Sequence, residues 1–277
     1  MATLPKENPV KAAIESGEVP LDFRPYIGMS SLLGECPRNV WYNFRWCYDR
    51  TVLPRIMRIF KRGDLEEARV ISDLTKAGMV VTESLHDQTE LSDETCHIKG
   101  HPDGKVVGVP GNEKIPHLLE IKTMKQSMFT KYKKEGLKKS HPAYWGQAHT
   151  YMGEHDLTYC LFIVTNKDTE ERDYQIIEYD PSVHKECMSI AHDILTSEFP
   201  PKRIGDATWF VCKYCANKKI CHFNEPIKKT CRSCDHVDIE MNGNWHCRKH
   251  DINLSEQAQM DGCKDYELCE DFKECLK

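Results

Sequence analysis

Three residues stand at spacings that could do chemistry. Asp103 lies in the run G-H-P-D-G at 100–104, and Glu120 and Lys122 lie in L-L-E-I-K-T at 118–123. In an extended strand alternate side chains share a face, so Glu120 and Lys122 point one way while Leu119 and Ile121 point the other. Two carboxylates and an ammonium meeting at one point suit metal-dependent hydrolysis of a phosphodiester. Hard oxygen ligands such as Asp103 and Glu120 suit Mg²⁺. The ion neutralises charge on the phosphoryl group and lowers the pKa of the attacking water. Lys122 would orient or help deprotonate that water and stabilise the developing charge. An E-x-K alone is more often a solvated strand edge, so the surrounding elements must decide.

Those elements are legible. Pro110, Gly111 and Asn112 predict a hairpin that brings Asp103 to Glu120. Residues 55–77 predict a helix whose apolar stripe runs through Ile56, Ile59, Phe60, Gly63, Val70, Ile71 and Leu74, with Gly78 as its stop. Glu67 falls on that stripe, where a carboxylate needs a cation, either a bound metal or a core-facing Arg or Lys. Glu66 falls off it and reads as solvated. Residues 143–154 predict a second helix with Gln147 and Tyr151 on one face. Residues 158–165 and 173–179 read as strands, and 181–197 as a helix.

Four ordered motifs now stand together: G-x-x-x-E (Gly63 to Glu67), G-H-P-D-G (Gly100 to Gly104), E-I-K (Glu120 to Lys122) and Q-x-x-x-Y (Gln147 to Tyr151). They resemble the motifs of RecB-like nucleases in the PD-(D/E)xK superfamily. Many relatives carry His where Glu67 stands, and phage exonucleases of the superfamily use Glu. The resemblance implies a mixed α/β fold, a restriction-endonuclease-like core with a mixed central sheet flanked by helices. It also implies that Glu67, Asp103 and Glu120 hold Mg²⁺ or Mn²⁺, that Lys122 assists the water, and that Gln147 and Tyr151 position the DNA backbone. The expected activity is a metal-dependent DNA exonuclease in recombination, repair or phage replication. The alternatives are a non-catalytic DNA-binding or recombination partner on a nuclease scaffold and a structure-specific endonuclease or nickase.

Nine of the 14 cysteines crowd between Cys212 and Cys275. In a reducing compartment such clusters favour metal ligation over disulfides. Cys212, Cys215 and Cys221 form C-x2-C-x5-C and lack a fourth ligand, for which Cys36, just ahead of Pro37, is the candidate. One N-terminal Cys with this later triplet resembles the [4Fe-4S] staple of AddB-like and CRISPR-associated RecB-like nucleases. A zinc ribbon from Cys212, Cys215, Cys231 and Cys234 is the competing reading. Farther on, Cys231, Cys234, Cys247 and Cys263 could hold Zn²⁺, with Cys231, Cys234, His246 and His250 as the rival set. Such a tail cannot bury enough apolar surface alone, so metal would supply much of its folding energy. Cys47, Cys96, Cys160 and Cys187 read as small buried hydrophobes, and Cys269 and Cys275 have no assigned partner.

The 277 residues are 40% hydrophobic and 29% charged, ordinary for a globular chain, and divide into an N-terminal arm at 1–25, a nuclease core at 26–226 and a cysteine-rich tail at 227–277. A net charge of -5 does not announce a nucleic-acid partner, so DNA contact must rest on local patches. The richest stretch is 125–139, where Lys125, Lys131 and Lys133 accompany Phe129 and Tyr132. It reads either as a phosphate-holding and base-stacking surface or as a solvated helix face. Apolar runs are too short to cross a bilayer, so the expectation is a cytoplasmic protein of a bacterial or phage-infected cell, with DNA and possible recombination or replication proteins as partners and no membrane contact.

Overall fold

The computed structural model describes residues 8–34 and 36–269. Helix α1 (Pro9–Glu15) begins at Asn8, whose side chain accepts from the Val10 and Lys11 N–H groups. Strands β1 (Val19–Pro20) and β2 (Ile27–Gly28) follow, then α2 (Pro37–Phe44) and β3 (Thr51–Val52), which pairs with β1. The described part of the expected N-terminal arm therefore carries a helix and a paired strand.

Helix α3 (Pro54–Lys76) has Pro54 in its first turn, and past its end Gly78 takes φ 90°. The chain then forms β4 (Val80–Thr82), β5 (Leu91–Ser92), β6 (Ile98–Gly100), β7 (Gly104–Val107) and β8 (His117–Met124). Residues 108–116 join β7 to β8, a longer connection than the tight hairpin expected at Gly111 and Asn112. Three helices, α4 (Gln126–Glu135), α5 (Leu137–Ser140) and α6 (Pro142–Glu154), carry the chain across to β9 (Tyr159–Asn166), which lies parallel to β8. β10 (Arg172–Glu178) and α7 (Pro181–Thr196) complete this part.

The five-stranded sheet has the order β10-β9-β8-β7-β4, parallel only between β8 and β9. A central strand covered on both faces should read as a continuous apolar run, and β9 does, as Y-C-L-F-I-V-T-N. One core layer packs Val70 and Leu74 of α3 against Leu119, Ile121, Leu161 and Ile163. On the opposite face, Leu118, Met124 and Phe162 join Trp41, Phe44, Ala148 and Cys187 from α2, α6 and α7. The fold is thus mixed α/β, a mixed sheet flanked by helices. Among the described residues, no helix is long and apolar enough to cross a membrane.

Two short helices, α8 (Phe210–Lys213) and α9 (Lys218–Phe223), lead into a three-stranded sheet of β11 (Val237–Ile239), β12 (Trp245–Cys247) and β13 (Ile252–Asn253), followed by α10 (Glu256–Asp261). The Arg232 guanidinium ties this segment to the front of the chain. Its Nη1 and Nη2 donate to Phe44 O (2.9 Å) and Pro25 O (3.0 Å), and Nε to Gln259 Oε1 (2.7 Å). Its carbon lies 3.7 Å from the Trp46 ring centre and 4.3 Å from that of Trp245. Burial works against the charge, but a guanidinium between π faces with its N–H groups bonded keeps it.

Candidate active site

Asp103 stands immediately before β7, and its Oδ2 accepts from the Ile121 N–H at 2.7 Å. That bond fixes the carboxylate against the middle of β8. Glu120 is fully buried and ion-paired with Lys122 Nζ, yet neither carboxylate oxygen has a hydrogen bond of ordinary geometry. Lys122 Nζ also lies 3.9 Å from Asp103 Oδ2 and 5.6 Å from the centre of the Tyr144 ring. Desolvation raises the Glu120 pKa well above the carboxylate range, against the pull of Lys122. For Lys122, desolvation favours the neutral amine, but Glu120 and Asp103 outweigh it and hold the ammonium.

Glu67 of α3 joins the group from one side. Its Oε1 accepts from Gln88 Nε2 at 3.2 Å, and desolvation with repulsion from Asp103 pushes its pKa up to about 7. Its sequence neighbour corrects the helical stripe. Glu66 was expected in solvent, but it is buried, accepting from Thr165 Oγ1 (2.8 Å), Arg172 Nη2 (2.9 Å) and Arg69 Nη1 (2.8 Å). Ile59 and Phe60, expected on the buried stripe, are exposed. The covered side of α3 is set by Glu66, Val70 and Leu74, and Arg172 supplies the counter-charge that sequence reading sought for Glu67.

Gln147 and Tyr151 come from buried turns of α6. Burial and then Glu120 raise the Tyr151 hydroxyl pKa, while Gln147 hydrogen-bonds it. Tyr151 reaches the site because Gly100 lacks a side chain. The structure thus gathers Glu67, Asp103, Glu120, Lys122, Gln147 and Tyr151, all taken from the sequence, and adds Tyr144, which no motif marked. Glu120, with Oε2 unbonded, and the carboxylates of Asp103 and Glu67 are hard oxygen donors of the kind a divalent cation takes, standing farther apart than 4.8 Å as a set of three.

The lysine stretch is different. Lys133 Nζ pairs with Asp173 Oδ1 at 2.6 Å and Lys131 with Glu135 at 4.0 Å, while Lys125 is exposed at the start of α4. Phe129 and Tyr132, the residues expected to stack on a base, are buried in the core, because α4 packs its apolar side onto the sheet. They cannot serve as a stacking surface.

Cys36, Cys212, Cys215 and Cys221 line one cavity of about 230 Å³ between the start of α2 and the α8–α9 segment. Cys215 Sγ donates to Asn39 Oδ1 at 3.1 Å, and Asn217 Nδ2 donates to both Asn39 and Asn43. Cys231, Cys234, Cys247 and Cys263 border a second, much smaller pocket with His250 and Asp265. Burial, followed by the three neighbouring thiols, pushes Cys231 up to about 11. His246 Nδ1 is engaged by Asn253 Oδ1 at 3.0 Å. Among the described residues, the one group of three whose ligand atoms lie within 4.8 Å of one another is His250, Cys263 and Asp265. Cys47, Cys160 and Cys187 are buried as expected, Cys96 is exposed instead, and Cys275 lies outside the described residues.

No protein-family model matches the chain, and no curated protein matches it. Among solved structures, SSO0001 is similar over 73% of this chain and 87% of its own, with 18% identity and a TM-score of 0.45. LHK-Exo in complex with dAMP is similar over 61% of this chain and 86% of its own, with 17% identity and a TM-score of 0.44. A second structure of that protein, an alkaline exonuclease from Laribacter hongkongensis, gives 17% identity and a TM-score of 0.41 over 61% and 87% of the two chains.

Proposed function

We propose that the chain is a Mg²⁺- or Mn²⁺-dependent deoxyribonuclease of the RecB-like PD-(D/E)xK type, acting as an exonuclease in DNA recombination, repair or phage replication. Glu120 carries this reading: a fully buried carboxylate paired through Oε1 with Lys122 Nζ, with Oε2 unbonded, and within electrostatic reach of Asp103 and Glu67. Glu67, Asp103 and Glu120 are the ligands for a divalent ion, which when bound neutralises the phosphoryl group and lowers the pKa of the attacking water. Lys122, held as an ammonium, orients that water and stabilises charge developing on the phosphate. Tyr144 keeps the ammonium in place through its ring, and Gln147 fixes the Tyr151 hydroxyl, so that this pair positions the DNA backbone.

We assign a [4Fe-4S] cluster to Cys36, Cys212, Cys215 and Cys221, supported by the single cavity that gathers Cys36 with three cysteines 176 or more positions away. Its role there is to staple α2 to the α8–α9 segment. Zn²⁺ is assigned to Cys231, Cys234, Cys247 and Cys263, supported by their shared pocket.

Glu120→Gln and Lys122→Ala should each abolish degradation of end-labelled single-stranded and duplex DNA in Mg²⁺ while circular dichroism shows a folded chain. Parental activity in either variant would refute the catalytic assignment. Linear DNA should be consumed and closed circles left intact; nicked circles would instead indicate an endonuclease. An anaerobic preparation should be brown and contain iron, sulfide and zinc.

A further inference from the structure

The segment between α7 and the tail exposes an unusual number of large aromatic rings. Phe210 and Tyr214 are 73% and 72% exposed, and Trp209 and Phe223 are 44% and 59% exposed. Phe210 and Tyr214 lie edge to face at 5.4 Å, so the pair forms one ledge. Lys213 stands between them in sequence, with its Nζ 5.6 Å from the Tyr214 ring centre.

Charge indicates what such a ledge would take. Residues 198–225 carry Lys202, Arg203, Lys213, Lys218 and Lys219 against Glu198, Asp206 and Glu225, the last paired with Lys219 at 3.3 Å. Asp206 is engaged locally, accepting from the Thr208 and Trp209 N–H groups at 2.7 and 3.2 Å. The chain as a whole is acidic, at -5. Exposed rings interleaved with cations are the ordinary means of holding a nucleic-acid single strand, the rings stacking on bases and the cations facing phosphates. An apolar protein partner would have no use for the cations.

Tyr214 lines the same cavity as Gly34, and a β-carbon at Gly34 would lie 3.3 Å from that of Ala143. Ala143 precedes Tyr144, whose ring covers Lys122. The ledge thus borders the cavity that Cys36, Cys212, Cys215 and Cys221 line, and that cavity's Gly34 meets the start of α6.

We propose that Phe210 and Tyr214, with Lys213 between them, form a stacking platform for single-stranded DNA outside the carboxylate site. The proposal rests on the deoxyribonuclease reading for the identity of the strand, but it is tested by binding alone. The test compares parent, Phe210→Ser, Tyr214→Ser and Lys213→Gln, with Tyr174→Ser on exposed β10 as control, using fluorescein-labelled oligo(dT) and a labelled hairpin duplex, with Ca²⁺ replacing Mg²⁺. Hydrolysis of bis(p-nitrophenyl) phosphate in Mn²⁺, metal content and mass in solution are measured on the same samples.

Each aromatic substitution should weaken oligo(dT) binding by about tenfold or more. Lys213→Gln should flatten the salt dependence by roughly one phosphate contact. Hydrolysis of the small diester, metal content and the Tyr174→Ser control should stay parental. Unchanged oligo(dT) binding in both aromatic variants overturns the platform, as does a change in self-association without a change in DNA binding, which makes the ledge an interface between copies. Parental binding lost in the variants, in a protein that hydrolyses neither DNA nor the small diester, supports the platform and instead refutes the nuclease reading.

Discussion

The ring of Tyr151 lies over Gly100, so close that a β-carbon there would come to 2.3 Å from Cε1. The contact is a reciprocal fit between β6 and α6, and substituting either partner tests it. Gly100→Ala should destabilise by about 1–3 kcal/mol through overpacking. It should also cut DNA hydrolysis by about a hundredfold by displacing the ring. Tyr151→Ala removes the obstacle, so adding Gly100→Ala to it should cost little further stability. Strictly additive costs in a denaturant cycle would show that the two residues do not touch.

Glu66 and Glu67 should separate stability from activity. Glu66→Ala strands the Arg172 guanidinium, which is 15% exposed, and should cost about 3 kcal/mol in a urea melt, Asp73 retaining part of the pairing. Glu67→Gln removes a carboxylate whose pKa burial and Asp103 push up to about 7, so the fold should hold or gain slightly while nuclease activity is lost. The reverse pattern would exchange their roles.

His149 should set part of the acid response. The ring is buried against Trp145, its Nδ1 accepts from the Asp180 N–H at 3.0 Å, and desolvation lowers its pKa from 6.5 to about 4. Below pH 6.5 the unfolded chain takes up this proton and the folded chain does not, so the stability is complete above 6.5 and is lost as pH falls toward about 4. The loss amounts to at most about 3 kcal/mol. His149→Asn, which keeps an acceptor for Asp180, should flatten stability over that window. An unchanged pH profile would place the acid response elsewhere.

Arg232→Lys should be far from conservative. An ammonium cannot bond Phe44 O, Pro25 O and Gln259 together or reproduce a planar guanidinium's contacts with the Trp46 and Trp245 rings. The expected loss is about 2–4 kcal/mol, read in a urea melt with tryptophan fluorescence. A parental midpoint would mean the cage contributes nothing.

Much of this was legible because it repeats locally. Period-two alternation placed Glu120 and Lys122 on one face of β8, and helical spacing placed Gln147 beside Tyr151. The errors share one cause, which is that a distant partner decides. Glu66 and Glu67 differ by one step around α3, and Arg172, more than a hundred residues away, determines that Glu66 is the buried ion-paired one. Phe129 and Tyr132 look like Phe210 and Tyr214 in sequence, since all four sit among lysines. The first pair faces a sheet and the second faces solvent, a difference no spacing encodes.

The Arg232 bonds to Phe44 and Pro25 span 188 and 207 positions. Such closures come late and slowly, because a long loop must be ordered before any contact repays it. These contacts join α2 and the segment before it to the β11–β13 region across most of the described chain. A chain stopped after β10 would contain Glu67, Asp103, Glu120, Lys122, Gln147 and Tyr151 and still lack the arginine that bonds the end of α2. The end of α2 is thus anchored from far along the chain, its Phe44 carbonyl bonded by a residue 188 positions later.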